Sequence, residues 1–198
     1  KKVCVTAYSH HDVLTINEVF CRRDYPAPPG AHVVVDFGSN IGISALYFLT
    51  AAPGAFVYCY EPLPWNCEKL RKTLSGFETR YEINQCAVGL ENGGVPFFFE
   101  PSGRYGGVNE ISFCSGEKIT VPCRTATAEI DRILARHGKI DVLKVDIEGL
   151  EEDVLKSLSP DQLAHIDNIY AETSLGEGAL SRSDMFRNYA GIAQFTSA

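Results

Sequence analysis

The stretch from His32 to Gly42, "HVVVDFGSNIG", joins an apolar run to two glycines that lie four positions apart. The apolar run predicts a buried β-strand, and the glycines predict a tight turn that leads into a helix and brings the backbone close to a ligand. Dinucleotide-binding turns read G-x-G-x-x-G, because the pyrophosphate lies at the helix N-terminus with no charge opposing it. Here Asp36 stands in place of the first glycine. A carboxylate at that position would repel a pyrophosphate and attract a cation.

S-adenosylmethionine fits this turn, since it has no phosphate, carries an ammonium and a sulfonium, and presents a carboxylate to the amides of a helix start. Glu61 ends the next apolar run, 19 residues after Gly42, and is placed to accept both ribose hydroxyls. NAD-binding domains also have an acid at about the spacing of Glu61, so Glu61 does not distinguish NAD from S-adenosylmethionine. The residue that distinguishes them is Asp36. The alternative is that Asp36 only caps the following helix and Gly38 only turns the chain.

Contacts to the adenine are predicted at two further places. The run "CAVG" at 86–89 closes the third predicted strand, where related folds contact the adenine, and Leu63 is positioned to cover one adenine face. The predicted cofactor-binding residues are Asp36, Gly38, Ser39, Asn40, Gly42, Glu61, Pro62, Leu63, Cys86, Ala87 and Val88.

Apolar runs alternate with amphipathic stretches over most of the chain, which is typical of a parallel sheet with helices on both faces. Strands are predicted at 32–37, 55–61, 81–89, 140–147 and 166–173, and the alternation is interrupted between residues 94 and 125 by two β-rich pieces around a glycine-rich loop. The predicted fold is therefore α/β, with a mostly parallel sheet and a β-rich insertion after the third strand. The turn with Asp36, Gly38 and Gly42, followed by Glu61 in this β-α-β context, predicts that it is a Rossmann-like class I methyltransferase fold.

The segment "YPAPPGA" at 25–31 separates an N-terminal lid, residues 1–30, from a cofactor-binding domain, residues 31–198. In the lid we expect a strand near "KKVCVTAY" and a short helix capped by Asp12. For "SRSDMFRNYAGIA", residues 181–193, we expect a last helix, with space for one strand from about Gly191. Such an end would leave the C-terminal hairpin of the sheet incomplete, through truncation or because another subunit completes the edge.

Composition limits the classes of partner. The chain has 198 residues, 45% of them hydrophobic, and a formal net charge of −7, which disfavours nucleic acid and anionic membranes as partners and favours a small molecule. No apolar run approaches the roughly 18 residues of a membrane-spanning helix. The seven cysteines have no zinc-ligand spacing and are interpreted as reduced thiols of a cytoplasmic protein. The sequence is compatible with a homo-oligomer as well as with a monomer.

The stretches "VVVDFGSNIGISALYF", "VYCYEPLPWNCEKLRKTL", "NQCAVG" and "IDVLKVDIEGLEEDVLKSL" resemble the FkbM-type methyltransferase family over roughly residues 9 to 173. The most specific motif of that family, K-x-D-x-E-G-x-E, is matched by Lys144, Asp146, Glu148, Gly149 and Glu151. The resemblance implies methyl transfer from S-adenosylmethionine, usually to a hydroxyl of a sugar or secondary metabolite.

Lys144 and Asp146 are two positions apart on a predicted strand and share a face, while Glu148 is expected to open the next helix. Asp146 is the first candidate for the general base and Glu148 the second, ahead of a lid histidine, His10 or His11. The alternative is an ion-paired network in which Lys144 neutralises two acids. The predicted catalytic residues are Asp146, Glu148 and Lys144.

Magnesium is compatible with the carboxylates of Asp146, Glu148 and Glu172 near one sheet edge, but no ligand spacing requires it, and we predict no metal.

In the glycine-rich loop, Tyr105 and Asn109 are candidates for contacts to the acceptor. Two rival functions are retained. One is a nicotinamide-dependent oxidoreductase, and the other is a catalytically inactive domain that keeps the cofactor fold for binding or assembly.

Overall fold

The computed structural model describes residues 3–100, 106–108, 117–181 and 184–197. Its helices are α1 (His10–Ile16), which continues as a π-helix (Asn17–Arg22), α2 (Ile43–Ala51), α3 (Pro64–Thr73), α4 (Ala126–His137), α5 (Glu151–Ser157) and α6 (Pro160–Ala164). Its strands are β1 (Val33–Phe37), β2 (Phe56–Tyr60), β3 (Tyr81–Asn84), β4 (Ala87–Gly89), β5 (Gly93–Phe99), β6 (Gly106–Gly107), β7 (Glu117–Thr125), β8 (Ile140–Val145), β9 (Ile166–Glu172), β10 (Asp184–Tyr189) and β11 (Ile192–Ser197). Within the described ranges no helix is both long and apolar enough to cross a membrane.

The main sheet has the order β3-β2-β1-β8-β9-β11-β10, and its first five strands are parallel. Successive residues of the buried strand β1 point to opposite faces: Val35 packs in the core on the side of α4 and α5, and Val34 packs with α2. This arrangement confirms the predicted α/β fold with helices on both faces. The order reverses at β1 and β8, and open α/β sheets bind ligands at the carboxyl ends of strands at such a point.

The insertion after the third strand forms a second sheet of order β4-β7-β5-β6, as the β-rich pieces predicted. The single strand predicted over 81–89 is divided, because the amide of Cys86 turns back to the carbonyl of Asn84 at 2.9 Å. Residues 81–84 stay in the main sheet and residues 87–89 pair with β7. Tyr105 and Asn109 lie outside the described residues.

The helix predicted for residues 181–193 is wrong, because β10 and β11 form an antiparallel hairpin in this region. Tyr189 pairs with Ile192 across a two-residue loop in which Ala190 (φ 54°) and Gly191 (φ 87°) both have positive φ. Two-residue hairpin turns of type I′ require this combination. Strand β11 also pairs antiparallel with β9, so the hairpin extends the main sheet.

The lid differs from the prediction in two respects. Residues 3–8 are not a strand, although Val3 and Val5 pack against the core beside α2. The N-cap of α1 is Ser9, whose hydroxyl accepts from the amide of Asp12 at 3.3 Å, while the Asp12 carboxylate accepts from the amide of Ser9 at 2.8 Å. Asp12 is thus the third residue of a capping box, which satisfies two amides at the helix start.

Candidate active site

A cavity of about 340 Å³ opens at the carboxyl ends of β1, β2, β8 and β9. The lid covers one side, and residues of the second sheet close another. The residues that line it include seven acidic and two basic ones, so the cavity wall has an excess of negative charge. Of the predicted cofactor-binding residues, Gly38, Ser39, Asn40, Glu61, Pro62, Cys86, Ala87 and Val88 lie in its wall.

Asp36 lies beneath the cavity and does not line it. Its side chain is fully buried, accepts a hydrogen bond from the Ser44 hydroxyl at 2.6 Å, and has an oxygen 3.1 Å from Lys144 Nζ. The negative charge of Asp36 is therefore neutralised inside the protein. The expectation that this carboxylate meets the charge of a ligand directly does not fit this geometry, since its oxygens already face Ser44 and Lys144.

The two glycines of the turn are required by protein neighbours. Gly38 has φ +82°, and a Cβ there would overlap the carbonyl oxygen of Asp146. Gly42, the N-cap of α2, has φ +87°, and a Cβ there would lie 3.0 Å from Cγ of Leu70 on α3. Gly38 thus lets the β1 turn pack against the end of β8, and Gly42 lets α2 pack against α3. Gly42 does not line the cavity.

The turn between these glycines is held by the end of β2. The amides of Gly38 and Ser39 both donate to the carbonyl of Tyr60, at 3.1 and 2.9 Å. The Ser39 hydroxyl donates to the carbonyl of Asp36 at 2.8 Å and accepts from the amide of Tyr60 at 3.1 Å. With these bonds in place, Ser39 and Asn40 form a fixed part of the cavity wall.

Glu61 follows β2 directly and is buried in the cavity wall. One carboxylate oxygen accepts from the amide of Leu63 at 2.9 Å and from the side-chain amide of Asn66 at 3.4 Å. Burial raises the pKa of Glu61 to about 7, although hydrogen bonds from Leu63, Asn66 and the backbone of Asn40 oppose the rise. Leu63 itself is buried outside the cavity and acts here through its backbone.

Lys144 is the centre of a buried network. Its Nζ lies 3.1 Å from an oxygen of Asp36 and 3.1 Å from an oxygen of Asp146, and it donates to the carbonyl of Gly38 at 3.2 Å. Burial alone would lower the pKa of Lys144, but the charges of Asp146 and Asp36 raise it, so the ammonium stays protonated. Lys144 is thus ion-paired with two acids, but these are Asp36 and Asp146, whereas the alternative from the sequence concerned the motif acids Asp146 and Glu148.

The K-x-D-x-E-G-x-E run forms a strained turn after β8. Glu148 (φ 60°) and Gly149 (φ 105°) are both left-handed, and α5 begins only at Glu151, so the prediction that Glu148 opens the helix is wrong. The Glu151 carboxylate accepts from the amides of Ile147 at 2.8 Å and Gly149 at 2.9 Å. Both bonds fix a turn from which Glu148 lines the cavity beside Asp146.

Several wall residues were missed by the sequence analysis. The lid contributes Tyr25 and an ion-paired group of Glu18, Arg22 and Asp24, and the second sheet contributes Phe97. Nothing in the local sequence marks these positions, because the π-helix and the proline-rich break bring them over the sheet edge only in three dimensions. Glu172 lines the cavity, whereas the lid histidines His10 and His11 do not.

Within the described ranges, no group of three or more His, Cys, Asp or Glu side chains has a metal-binding arrangement. That a metal plays no part in the reaction stays a prediction.

The strand order and the ligand cavity at its switch point define a Rossmann-like α/β protein of the class I methyltransferase type. The chain belongs to the FkbM methyltransferase family, because the Methyltransferase FkbM domain matches residues 36–180. Membership implies a methyl donor. Among solved structures, the chain is similar to Methyltransferase FkbM from Methylobacillus flagellatus, with a TM-score of 0.56 and 16% identity over 91% of this chain and 47% of that one. This likeness shows the fold.

Three relatives of known name have sequences that are 25% identical to this chain. The chain is 25% identical to 31-O-demethyl-FK506 methyltransferase FkbM of Streptomyces tacrolimicus, over 87% of this chain and 76% of the relative. It is 25% identical to 2-O-methyltransferase NoeI of Sinorhizobium fredii, over 82% of this chain and 74% of the relative. It is also 25% identical to AMB antimetabolite synthetase AmbE of Pseudomonas aeruginosa, over 84% of this chain but only 9% of that much longer protein.

Proposed function

We propose that this chain is an S-adenosylmethionine-dependent methyltransferase whose acceptor is a hydroxyl of a small molecule, such as a sugar or secondary metabolite. The observation that supports this most is Glu61, a buried carboxylate that lies beside the Ser39–Asn40 turn in an acidic cavity at the carboxyl edge of the sheet. Two relatives named as O-methyltransferases support a hydroxyl acceptor.

The cavity wall fits the chemistry of the cofactor. Glu61 offers a carboxylate for the ribose hydroxyls, and Cys86, Ala87 and Val88 offer backbone and apolar contacts for the adenine. The excess of acidic over basic side chains favours a cationic ligand and disfavours a pyrophosphate. When bound, S-adenosylmethionine supplies a methyl group on a positively charged sulfur. In this proposal Asp36 acts through Lys144, by holding the floor of the site, and does not contact the cofactor.

On the acceptor side, the catalytic candidates are Asp146 and Glu148. Asp146 lines the cavity with a partly exposed carboxylate, while Lys144 and the strained turn keep both acids in place. Asp146 would take the proton that the acceptor hydroxyl loses when its oxygen receives the methyl group from S-adenosylmethionine. Most of the rate enhancement then comes from alignment of the acceptor against the methyl group.

Calorimetric titrations with S-adenosylhomocysteine and with NAD test the proposal. We expect the first to bind and the second not to bind, and Glu61→Gln should weaken S-adenosylhomocysteine binding by about 1–3 kcal/mol, the cost of a lost charged hydrogen-bond partner. Glu152→Gln, on the exposed surface of α5, is the matched control and should leave binding unchanged. Binding of NAD alone would favour the oxidoreductase and overturn the proposal.

Turnover separates an enzyme from an inactive binding domain. Transfer of radiolabelled methyl from S-adenosylmethionine to a panel of monosaccharides, polyols and hydroxylated macrolides is the direct assay. Cofactor binding without transfer to any of them would favour the inactive alternative. We further propose that the protein is cytoplasmic, in keeping with free thiols at all six described cysteines. We also propose that its partner is a small molecule and neither nucleic acid nor a membrane.

A further inference from the structure

Tyr25 is a buried lid residue that reaches the candidate catalytic carboxylate. Its side chain is only 7% exposed, lines the cavity, and lies with its ring 5.4 Å from Lys144 Nζ. Its hydroxyl donates to Oδ2 of Asp146 at 3.4 Å. The two residues are 121 positions apart, so this contact joins the lid to the end of β8.

The position of Tyr25 is fixed by its neighbour Asp24. Both carboxylate oxygens of Asp24 accept from Arg22, at 3.2 and 2.6 Å, and its amide donates to the carbonyl of Glu18 at 3.1 Å. Its own carbonyl accepts from the side chain of Gln194 on β11 at 3.0 Å. Tyr25 is therefore held between the π-helix and the C-terminal hairpin, and its hydroxyl has little freedom to leave Asp146.

The two oxygens of Asp146 consequently have different surroundings. Oδ2 makes both of these contacts, because it lies 3.1 Å from Lys144 Nζ and accepts from the Tyr25 hydroxyl. The side chain is 31% exposed and lines the cavity. One oxygen is anchored from two sides, and the other is left to accept a hydrogen bond from a bound acceptor.

Tyr25 keeps its proton in this arrangement. Burial raises the pKa of its hydroxyl well above the ordinary value, and the charges of Asp146, Glu172, Asp36 and Asp24 raise it further. The phenol is thus a hydrogen-bond donor at any physiological pH, and it is not a base.

We propose that Tyr25 is a positioning residue for methyl transfer: by donating to Oδ2, it orients Asp146 so that Oδ1 faces the acceptor hydroxyl and takes its proton. This inference rests on the proposed function. Tyr25 acts through Asp146, and the proton of Tyr25 is not transferred.

The test compares Tyr25→Phe with Tyr170→Phe. Tyr170 is a buried tyrosine whose ring lies 6.4 Å from that of Tyr25, so its substitution removes a hydroxyl close by without touching Asp146. Coupling of glycine ethyl ester to carboxylates with a carbodiimide, followed by mass spectrometry, reports the accessibility of Asp146 without any acceptor. We expect Tyr25→Phe to speed the labelling of Asp146 roughly threefold, the change expected for losing an ordinary hydrogen bond, and Tyr170→Phe to leave it unchanged.

Kinetics give a second readout on any acceptor that wild type methylates. Tyr25→Phe should lower kcat by roughly 10- to 100-fold and leave KM for S-adenosylmethionine and the Kd of S-adenosylhomocysteine within about twofold, because only the alignment of Asp146 is lost. Equal labelling of Asp146 in both variants, or an unchanged kcat, would overturn the inference. If wild type does not bind S-adenosylhomocysteine, the proposed function fails, and the labelling alone still decides whether Tyr25 holds Asp146.

Discussion

Lys144 on β8 reaches across to Asp36 on the neighbouring strand β1, with 3.1 Å between Nζ and Oδ1 and with both side chains almost completely buried. Asp36 and Lys144 are also register partners of the two strands. An acid that looks from the sequence like a ligand contact is therefore part of the sheet floor, and its charge stabilises the lysine that in turn holds Asp146.

Removing Lys144 should destabilise the fold strongly. In Lys144→Met, Asp36 becomes a buried carboxylate without a counter-charge, and we expect a loss of about 3–5 kcal/mol in the free energy of unfolding, measured by urea denaturation. The double variant Asp36→Asn with Lys144→Met should recover most of that loss, because neither residue of the pair then carries a charge. A double variant that is no more stable than the single one would contradict this account of the pair.

Gly38→Ala should be far more damaging than an alanine at another glycine with positive φ. At Gly38 the new Cβ overlaps the Asp146 carbonyl, so the turn or β8 must move, whereas Gly138 (φ +77°) has nothing within 4 Å of the added atom. We expect Gly138→Ala to cost about 1 kcal/mol in unfolding free energy, from backbone conformation alone, and Gly38→Ala to cost at least about 3 kcal/mol. Equal costs in denaturation experiments would show that the close approach to Asp146 is not important.

Because of Glu61, the free energy of unfolding and the affinity for S-adenosylhomocysteine should change with pH in opposite directions. Because burial raises its pKa from 4.5 to about 7, the folded state binds the proton more tightly than the unfolded state. Its contribution is therefore fully favourable below about pH 4.5 and is lost as pH rises through 7, by up to about 3 kcal/mol. The difference in unfolding free energy between wild type and Glu61→Gln, followed from pH 4.5 to 8.5, measures this loss; a difference that stays constant would contradict it.

Binding should follow the ionised form of Glu61. Since a carboxylate accepts hydroxyl hydrogen bonds better than a carboxylic acid does, affinity for S-adenosylhomocysteine should rise as pH increases through 7 in wild type. Glu61→Gln should bind more weakly and with a flatter profile over the same range. Parallel profiles in the two proteins, measured by calorimetry, would rule out Glu61 as the titrating group.

Glu151 should stabilise the fold through the turn that contains Glu148. Glu151→Ala leaves two amides of that turn without their acceptor, and we expect a loss of about 2–3 kcal/mol in unfolding free energy together with weaker turnover. The adjacent Glu152→Ala removes an exposed acid whose ion pair with Lys156 is on the surface, and should cost less than about 0.5 kcal/mol. Similar losses in both variants would show that the hydrogen bonds of Glu151 are not what holds the turn.

The parts of the fold that could be predicted have strong local signals. Strands β1, β2, β8 and β9 are apolar runs, and α2, α3 and α4 have helical spacing between glycine and proline stops, so their existence and parallel arrangement follow from pattern alone. The C-terminal hairpin could not be predicted in this way. Its strand β10 is mostly exposed, and its sequence DMFRNY does not alternate apolar with polar residues. Its turn has Ala190 at a position where asparagine or glycine is the usual signal.

The site could be predicted as a location but only partly as a set of contacts. Eight of the eleven predicted cofactor residues line the cavity, because the carboxyl ends of parallel strands meet at one edge. The role of Asp36 was not predictable, since its counter-charge Lys144 lies more than 100 positions away and only the strand register brings them together. Tyr25 was missed for the same reason: its partner is distant in sequence.

The hydrogen bond between Asp24 and Gln194 spans 170 positions and ties the lid to β11. During translation the lid leaves the ribosome long before β11 is synthesised, so the nascent chain passes through a stage in which the lid can pack on α2 but lacks its hydrogen bond to Gln194. Closing so long a loop is slow and entropically costly, and it comes after local structure has formed. The part of the cavity wall formed by Ala190 and Ile192 is thus added after the rest, and a chain released before β11 emerges lacks that wall.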